Sequence, residues 1–394
     1  MVESQSPLYD AFKGILSTID KERIQELLSY MRTEAINFNL FKNGEFIERK
    51  FPFDIVPRIV SASEFDYLNK GIKQRIYALN LFLEDIYSEQ KIIKDGIIPP
   101  DFVFSSKAYL PEFRNTPVAK NIRVHISGID LVKNTVGDGW VVLEDNLRVP
   151  SGVSYPLSLR KLTRKVFPEF FEKLSIEKVL DYPQILSRTM NHVNTGGLNV
   201  ILTPGRYNSA FYEHSYLAKE SGAILATGED LFVEKDKLYL KTFAGKKARV
   251  GAVYRRLDDD ALDPKAFNPQ SLIGVSHITQ AYRAGNVALM NSIGNGIADD
   301  KGIYYFVPEM IRYYMGEEPI LQNAPTYLAF FEKDRNHILQ NMRTLVIKDV
   351  AEAGGYGVVF GSKLSKPERE KLKDAIVAEP RRFIAQEVIE FYDI

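Results

Sequence analysis

Cysteine is absent from all 394 residues, which excludes disulfides, thiolate metal sites and cysteine nucleophiles and is compatible with a reducing cytoplasm. No run of 18 uninterrupted apolar residues occurs, so no membrane-spanning helix is expected. The opening stretch MVESQSPLYDAFKGI has no basic segment followed by an apolar core, and no signal peptide is expected from it. An excess of either charge is also lacking, because 51 Lys and Arg balance 51 Asp and Glu. No global field therefore gathers nucleic acid or an anionic membrane. No G-x-S-x-G motif, internal repeat or low-complexity segment is present. The expectation is a cytoplasmic protein without nucleic-acid or membrane partners, whose oligomeric state the sequence leaves open.

What is present is an ordinary globular composition, 45% hydrophobic and 26% charged, long enough for two or three lobes. Leu16, Ile19, Ile24, Leu27, Leu28 and Met31 fall at helical spacing in the first stretch. Asn43-Gly44 then marks a turn between strand-like runs, and Pro52 and Pro57 hold the next segment extended. Ser63 with Asp66 resembles a helix start. Phe65 to Tyr87 reads as one amphipathic helix with Ile72, Ile76, Leu79, Leu83 and Ile86 on its apolar face. Lys73 and Arg75 on this helix read as solvated, with a contact to substrate as the other reading. Lys161 to Leu186 is helical around Pro168.

From Leu198 the pattern alternates between strand and helix, which implies a largely parallel sheet with ligands at its carboxyl ends. Thr203, Tyr207, Asn208, Glu213 and Arg255 lie at or just after such ends. Glu213-His214 reads either as a catalytic pair or, preferred here, as a helix-surface pair. From residue 271 the chain reads as mainly helical.

Two stretches carry chemistry. The first is GIDLVKNTVGDGWVVLEDNLRVPSGVSY, from Gly128 to Tyr155. Two apolar runs flanking a Gly/Asn/Asp cluster predict a β-hairpin. Glu144 and Asn146, at i and i+2 of one strand, share a face, and the hairpin folds Asp130 back beside them. Two carboxylates and an amide oxygen suit Mg²⁺, which leaves positions for phosphates; an ordinary hairpin with solvated acids is the alternative. The second is LVIKDVAEAGGYGVVFG, residues 345–361. It places Lys348 at a strand end, followed by Gly354, Gly355 and Gly357 and a further strand. Glycines admit close approach of backbone N–H groups to phosphate, and the lysine supplies countercharge. It is neither a P-loop nor a dinucleotide fingerprint, and a plain glycine-rich hairpin turn is the alternative.

These stretches, with FPFDIVPRIV, GIKQRIYALNLFLEDIY, HISGIDLV, LTPGRYNSAFYEHSYLA, VYRRLDDDALDP and AYRAGNVALMNSIGNGIADDK, resemble the circularly permuted ATP-grasp proteins related to glutathionylspermidine synthetase. The likeness covers nearly the whole chain. It implies a mixed α+β and α/β architecture: a circularly permuted ATP-grasp fold with an N-terminal helical lobe and an inserted pre-ATP-grasp-like α/β lobe. The expected divisions are 1–110 for the helical lobe, 111–190 for the metal-bearing part, 191–270 for the α/β lobe and 271–394 for the lysine, glycine-loop and hinge subdomain.

The resemblance assigns Asp130, Glu144 and Asn146 to Mg²⁺, and Lys301 and Lys348 to the phosphates of ATP. It assigns Gly354, Gly355 and Gly357 to the loop over those phosphates, and Gln386, Glu387 and Val388 to the adenine. Arg148 is the candidate for stabilising phosphoryl charge, because Gly128 stands where the spermidine-conjugating enzymes have an arginine. Family members continue past the hinge, so part of the metal-bearing subdomain is expected beyond Ile394. The implied activity is ATP- and Mg²⁺-dependent ligation of a small-molecule or peptide carboxylate to an amine through an acyl phosphate. The alternatives are a nucleotide-binding module of the same fold without turnover, and an interaction protein whose charges are surface charges.

Overall fold

The computed structural model describes residues 7–34, 36–42, 45–53, 58–133, 139–242, 245–350 and 357–389. The chain divides into two compact units, Met1–Ser61 with Ser151–Met290, and Ala62–Pro150 with Asn291–Ile394. Among the described residues no helix is long and apolar enough to cross a membrane.

The first unit opens with helices Pro7–Leu16 and Lys21–Thr33, the second started by Asp20, whose side chain accepts from the Arg23 amide. Strands Asn37–Lys42 and Glu45–Lys50 pair antiparallel, as the sequence predicts, while the Asn43-Gly44 turn lies outside the described residues. Ile15, Leu27, Met31 and Ile36 close a core against Tyr155, Leu162, Val166 and Phe167. The helix that carries Tyr155, Leu162 and Val166 spans Ser154–Val166, with Phe167 capping its end, and so begins before Lys161, the start predicted from the sequence.

The sheet of this unit runs in the order Ile224–Ala226, Leu198–Leu202, Lys247–Arg255, Lys237–Lys241, Leu231–Glu234, with Ala288–Met290 beside Lys247–Arg255. The first three strands and Ala288–Met290 are mutually parallel, and the remaining two add an antiparallel flank. The flank exists because Lys235 and Asp236 both take positive φ, 49° and 57°, the backbone of a tight two-residue hairpin.

The second unit is built on the helix Ala62–Ile86, three residues longer at its start than Phe65 would give, with Ser63 inside it. Leu68, Gly71, Arg75, Ala78, Leu79, Phe82, Leu83 and Ile86 form its buried stripe, the repeat of three and four that a helix face requires. Gly71 is needed there because a Cβ would stand 2.4 Å from the Leu321 side chain.

Two sheets belong to this unit. Gly128–Lys133 and Trp140–Asn146 form the predicted hairpin, with Gln322–Asn323 parallel on its other edge. Thr326–Leu328, Phe383–Glu387, Leu345–Asp349 and Val358–Phe360 form a four-stranded antiparallel sheet in that order. Leu345, Ile347, Phe383 and Ala385 pack it onto Ile338, Met342 and Ile376. The mainly helical reading from 271 onward is thus corrected by Ala288–Met290, Gln322–Asn323 and Thr326–Leu328. Segments of two or three residues are too short to show a period, and they become strands by pairing with longer neighbours.

Candidate functional site

The acids, the amide and the two lysines of the candidate site lie in the second unit. In the hairpin Asp130 stands opposite Glu144 and Gly128 opposite Asn146, with an irregularity of register after Asp130. Alternation sends Asp145 to the other face. There both of its oxygens accept from Arg75, Nε to Oδ1 and Nη2 to Oδ2, each at 2.7 Å. Arg75 also donates to Asn323 at 2.8 Å, and its guanidinium lies 5.3 Å from the centre of the Tyr304 ring. Arg75 is 1% exposed, so it is neither solvated nor a substrate contact. Its place seven residues after Leu68 and four before Leu79 put it in the apolar stripe, the signal that could have found it.

On the first face Glu144 pairs with one lysine and feels the charge of a second. Lys301 opens the helix Lys301–Tyr304, whose cap is Asp300; the Asp300 side chain accepts from the Gly302 amide at 2.8 Å. The Lys301 Nζ lies 3.7 Å from Glu144 Oε2. Lys348 is the fourth residue of the strand Leu345–Asp349 in the other sheet, near enough for its charge to act on Asp130 and to feel Glu144 and Lys301. Burial pushes the Lys348 ammonium down, and Lys301 adds to this, while Glu144 and Asp130 oppose it. Desolvation and then Glu144 push the Asp130 carboxyl up, against Lys348 and Lys301. The four groups sense one another, so sequence positions as distant as 130 and 348 form one charge cluster.

Arg148 is paired with Asp299. Its Nε is 3.8 Å from Asp299 Oδ2, and the amides of Leu147 and Arg148 donate to Asp299 Oδ1 at 2.6 and 3.1 Å. Desolvation pushes Asp299 up to about 7, although those two amides and the Arg148 guanidinium pull it down and Asp145 adds to the rise. Asp299 is not among the residues the sequence singles out, although IADDK contains it; nothing in that pentapeptide separates a half-buried carboxylate from a helix cap.

Gly354 and Gly355 lie outside the described residues. Gly357 has φ 73° and its carbonyl accepts from the Asp349 amide at 3.2 Å. Gln386 is flanked by Val346 and Thr326 in the sheet, and its side chain donates to Thr326 Oγ1 at 3.1 Å and the Leu143 carbonyl at 3.3 Å. The Glu387 amide donates to the Pro325 carbonyl at 3.0 Å, and the Glu387 carboxylate accepts from Tyr327. Val388 stands past the last paired position and is exposed.

The residues at the carboxyl ends of the first unit's sheet form a different assembly. Glu213 and His214 are each 1% exposed, so the helix-surface reading of this pair is corrected. Glu213 Oε2 accepts from the amides of Gly152 and Ser154 at 2.7 and 3.0 Å and from the Ser154 hydroxyl at 3.1 Å. His214 Nδ1 lies 2.8 Å from Thr203 Oγ1, and burial, then Arg256, pushes the imidazole down to about 3. Fixed partners make burial of such groups affordable. Arg255 pairs with Asp259 at 2.8 Å, Asn208 accepts from the Ala210 amide, and Tyr207 is exposed.

Asp130 and Glu144, opposed across one strand pair, repel each other unless a cation lies near, and the Asn146 amide shares their face. This donor set fits a hard divalent cation. Among the described residues no group of three His, Cys, Asp or Glu side chains could hold a metal, so Asn146 would be the third protein donor.

The acid pair thus comes from a mixed three-stranded sheet, one lysine from a helix start and the other from a four-stranded antiparallel sheet. Residues 57–394 match the family described as circularly permuted ATP-grasp type 2, and the chain belongs to that family. It is 46% identical over 359 residues to the protein sll0335 of Synechocystis, covering 90% of this chain and 74% of that one. To a Frankia alni protein provisionally named glutamate–cysteine ligase 2-3 it is 36% identical, over 99% of this chain and 46% of that protein. A glutathione synthetase-like effector from Globodera pallida, solved in its apo form, shares the fold with a TM-score of 0.58. The two are 11% identical, with 94% of this chain and 81% of the effector covered.

Proposed function

We propose that the protein is an ATP- and Mg²⁺-dependent ligase that joins a carboxylate to an amine through an acyl phosphate. The observation that carries this reading is the cluster of Lys301 and Lys348 with Glu144 and Asp130, cations and carboxylates delivered by separate elements to one face. Two lysines held beside a pair of acids suit the phosphates of a metal-bound nucleotide. The family membership and the ligase name of the Frankia alni relative support it.

In this reading Asp130, Glu144 and Asn146 hold Mg²⁺, which when bound neutralises charge on the phosphates and aligns them. Lys301 and Lys348 bind phosphate oxygens, and Gly357 with Gly354 and Gly355 brings backbone N–H groups to the same oxygens. Arg148 is the candidate to meet charge on the transferred group. Glu387 and Val388, at the end of pairing in the strand Phe383–Glu387, offer the first backbone positions for adenine, with Gln386 fixing that strand from inside the sheet. The substrate carboxylate attacks the γ-phosphorus and ADP leaves. The amine then attacks the acyl carbon, phosphate leaves with the acyl C–O bond, and the amine nitrogen loses a proton to give the amide. No side chain need act as a nucleophile, since positioning and charge neutralisation lower the barrier. The substrates are small-molecule or peptide carboxylates and amines, and a cytoplasmic setting supplies the ATP.

The test is ADP release from the protein with Mg-ATP and mixed pools of carboxylates, with hydroxylamine as amine. Formation of a hydroxamate together with ADP is the expected result. ATP binding without hydroxamate or ADP from any pool would favour a nucleotide-binding module without turnover.

A further inference from the structure

Two adjacent arginines stand where the chain leaves the helix Lys366–Ala378 and enters the strand Phe383–Glu387. Each reaches the aspartate that neighbours one of the two lysines. Arg381 donates from Nη2 to Asp300 Oδ2 at 2.7 Å, with Nη1 3.4 Å from Oδ1. Its Nη2 also donates to the Phe102 carbonyl at 2.9 Å, and its guanidinium lies 4.1 Å from the centre of the Phe102 ring. Asp300 in turn caps Gly302 and accepts from Ser106 at 2.9 Å. The turn that begins at Lys301 is therefore fixed from outside its own helix.

Arg382 does the same for the other lysine. Its Nε donates to Asp349 Oδ2 at 2.6 Å, and its carbonyl accepts from the Val350 amide at 3.0 Å. Lys348 lies one residue before Asp349 and opposite Ile384. Lys301 and Lys348 come from a helix and a strand with no sequence link between them, yet a phosphate chain needs the two ammonium groups at a set separation. Small errors in such placement are costly.

We propose that Arg381-Arg382 is a clamp that sets the spacing of Lys301 and Lys348 through Asp300 and Asp349, acting on phosphate binding without touching nucleotide. The clamp rests on the reading of the two lysines as phosphate ligands. Its halves differ in burial. The Arg381–Asp300 side chains are 18% and 6% exposed, and those of Arg382 and Asp349 are 52% and 9%. Removing Arg381 strands the Asp300 charge and endangers folding; removing Arg382 leaves the buried Asp349 without its guanidinium and lowers stability, by less because that pair reaches solvent on its arginine side.

The test is calorimetric titration of ATP and of adenosine into wild type, Arg382→Ala, Lys348→Ala and the double variant, with thermal unfolding of each. Arg382→Ala is expected to weaken ATP about tenfold, to leave adenosine unchanged and to lower Tm without preventing folding. In the Lys348→Ala background it is expected to add nothing, because its only route to phosphate is gone. Arg381→Lys, which keeps the buried charge but loses the fork, is expected to weaken ATP in wild type and to add nothing to Lys301→Ala. Additive losses in either cycle, or equal losses for ATP and adenosine, overturn the clamp. A wild type for which Lys348→Ala and Lys301→Ala leave ATP affinity unchanged overturns the underlying reading of the lysines instead.

Discussion

Glu144 faces Asp130 across the hairpin and Lys301 at 3.7 Å, so its charge has opposite effects on its two neighbours. Glu144→Gln keeps the shape, relieves Asp130 and deprives Lys301. Stability is expected to change little, since the two effects offset. Turnover of Mg-ATP is expected to fall by roughly 10²-fold, as for other losses of preorganised electrostatic stabilisation. ADP release at saturating ATP measures it, and undiminished turnover would place the metal elsewhere. Asp299 gives a second prediction at this scale, in pH dependence. Its carboxyl is pushed up to about 7, against an ordinary value of about 3.9. A group raised in the folded state contributes its stability below the unfolded value and loses it as pH rises through the folded one. Asp299→Asn keeps an oxygen for the Leu147 and Arg148 amides but carries no charge at any pH. The Tm of the variant relative to wild type is expected to climb between pH 4 and 7 and to level off above that. A difference constant with pH would show that Asp299 is not desolvated by the fold.

The hairpin and the long helix are joined by the Arg75–Asp145 fork, which lies behind the strand that presents Glu144 and Asn146. The two side chains are 1% and 0% exposed, so neither can turn to water when its partner is lost. Arg75→Met is expected to destabilise by about 3–5 kcal/mol, the cost of leaving a buried charge unpaired. Arg75→Met with Asp145→Leu is expected to recover most of that loss. Urea unfolding of the two variants decides it: equal destabilisation by both would mean that the pair contributes mainly through packing. The hairpin itself was legible, because its apolar runs, its glycines and the ExN spacing all lie within a short stretch. Arg75 was not, because a single helix residue gives no sign of a carboxylate far along the chain. Strands of two or three residues such as Gln322–Asn323 were not legible for a related reason, since their only cause is a neighbour.

Across the whole molecule the candidate site belongs to one of two compact units, Ala62–Pro150 with Asn291–Ile394. Ligand that binds the native state protects the elements it contacts from exchange. Hydrogen exchange with Mg-ATP is expected to slow at 128–146, 299–304, 345–350 and 383–389, and to leave the sheet of the first unit unchanged. Protection confined to that sheet would move the nucleotide to the other unit. The sequence by itself determined the kinds of element, the hairpin with its acids and amide, the two lysines, and the family, because each is written in residues close together in the chain. Tertiary structure alone decided that Lys301 pairs with Glu144 and Lys348 comes near it, that Glu213 and His214 are buried, and that Arg75, Asp299, Arg381 and Arg382 find their partners. Those contacts join residues tens to hundreds of positions apart. The energies that select them, desolvation and charge pairing, exist only once the elements have packed.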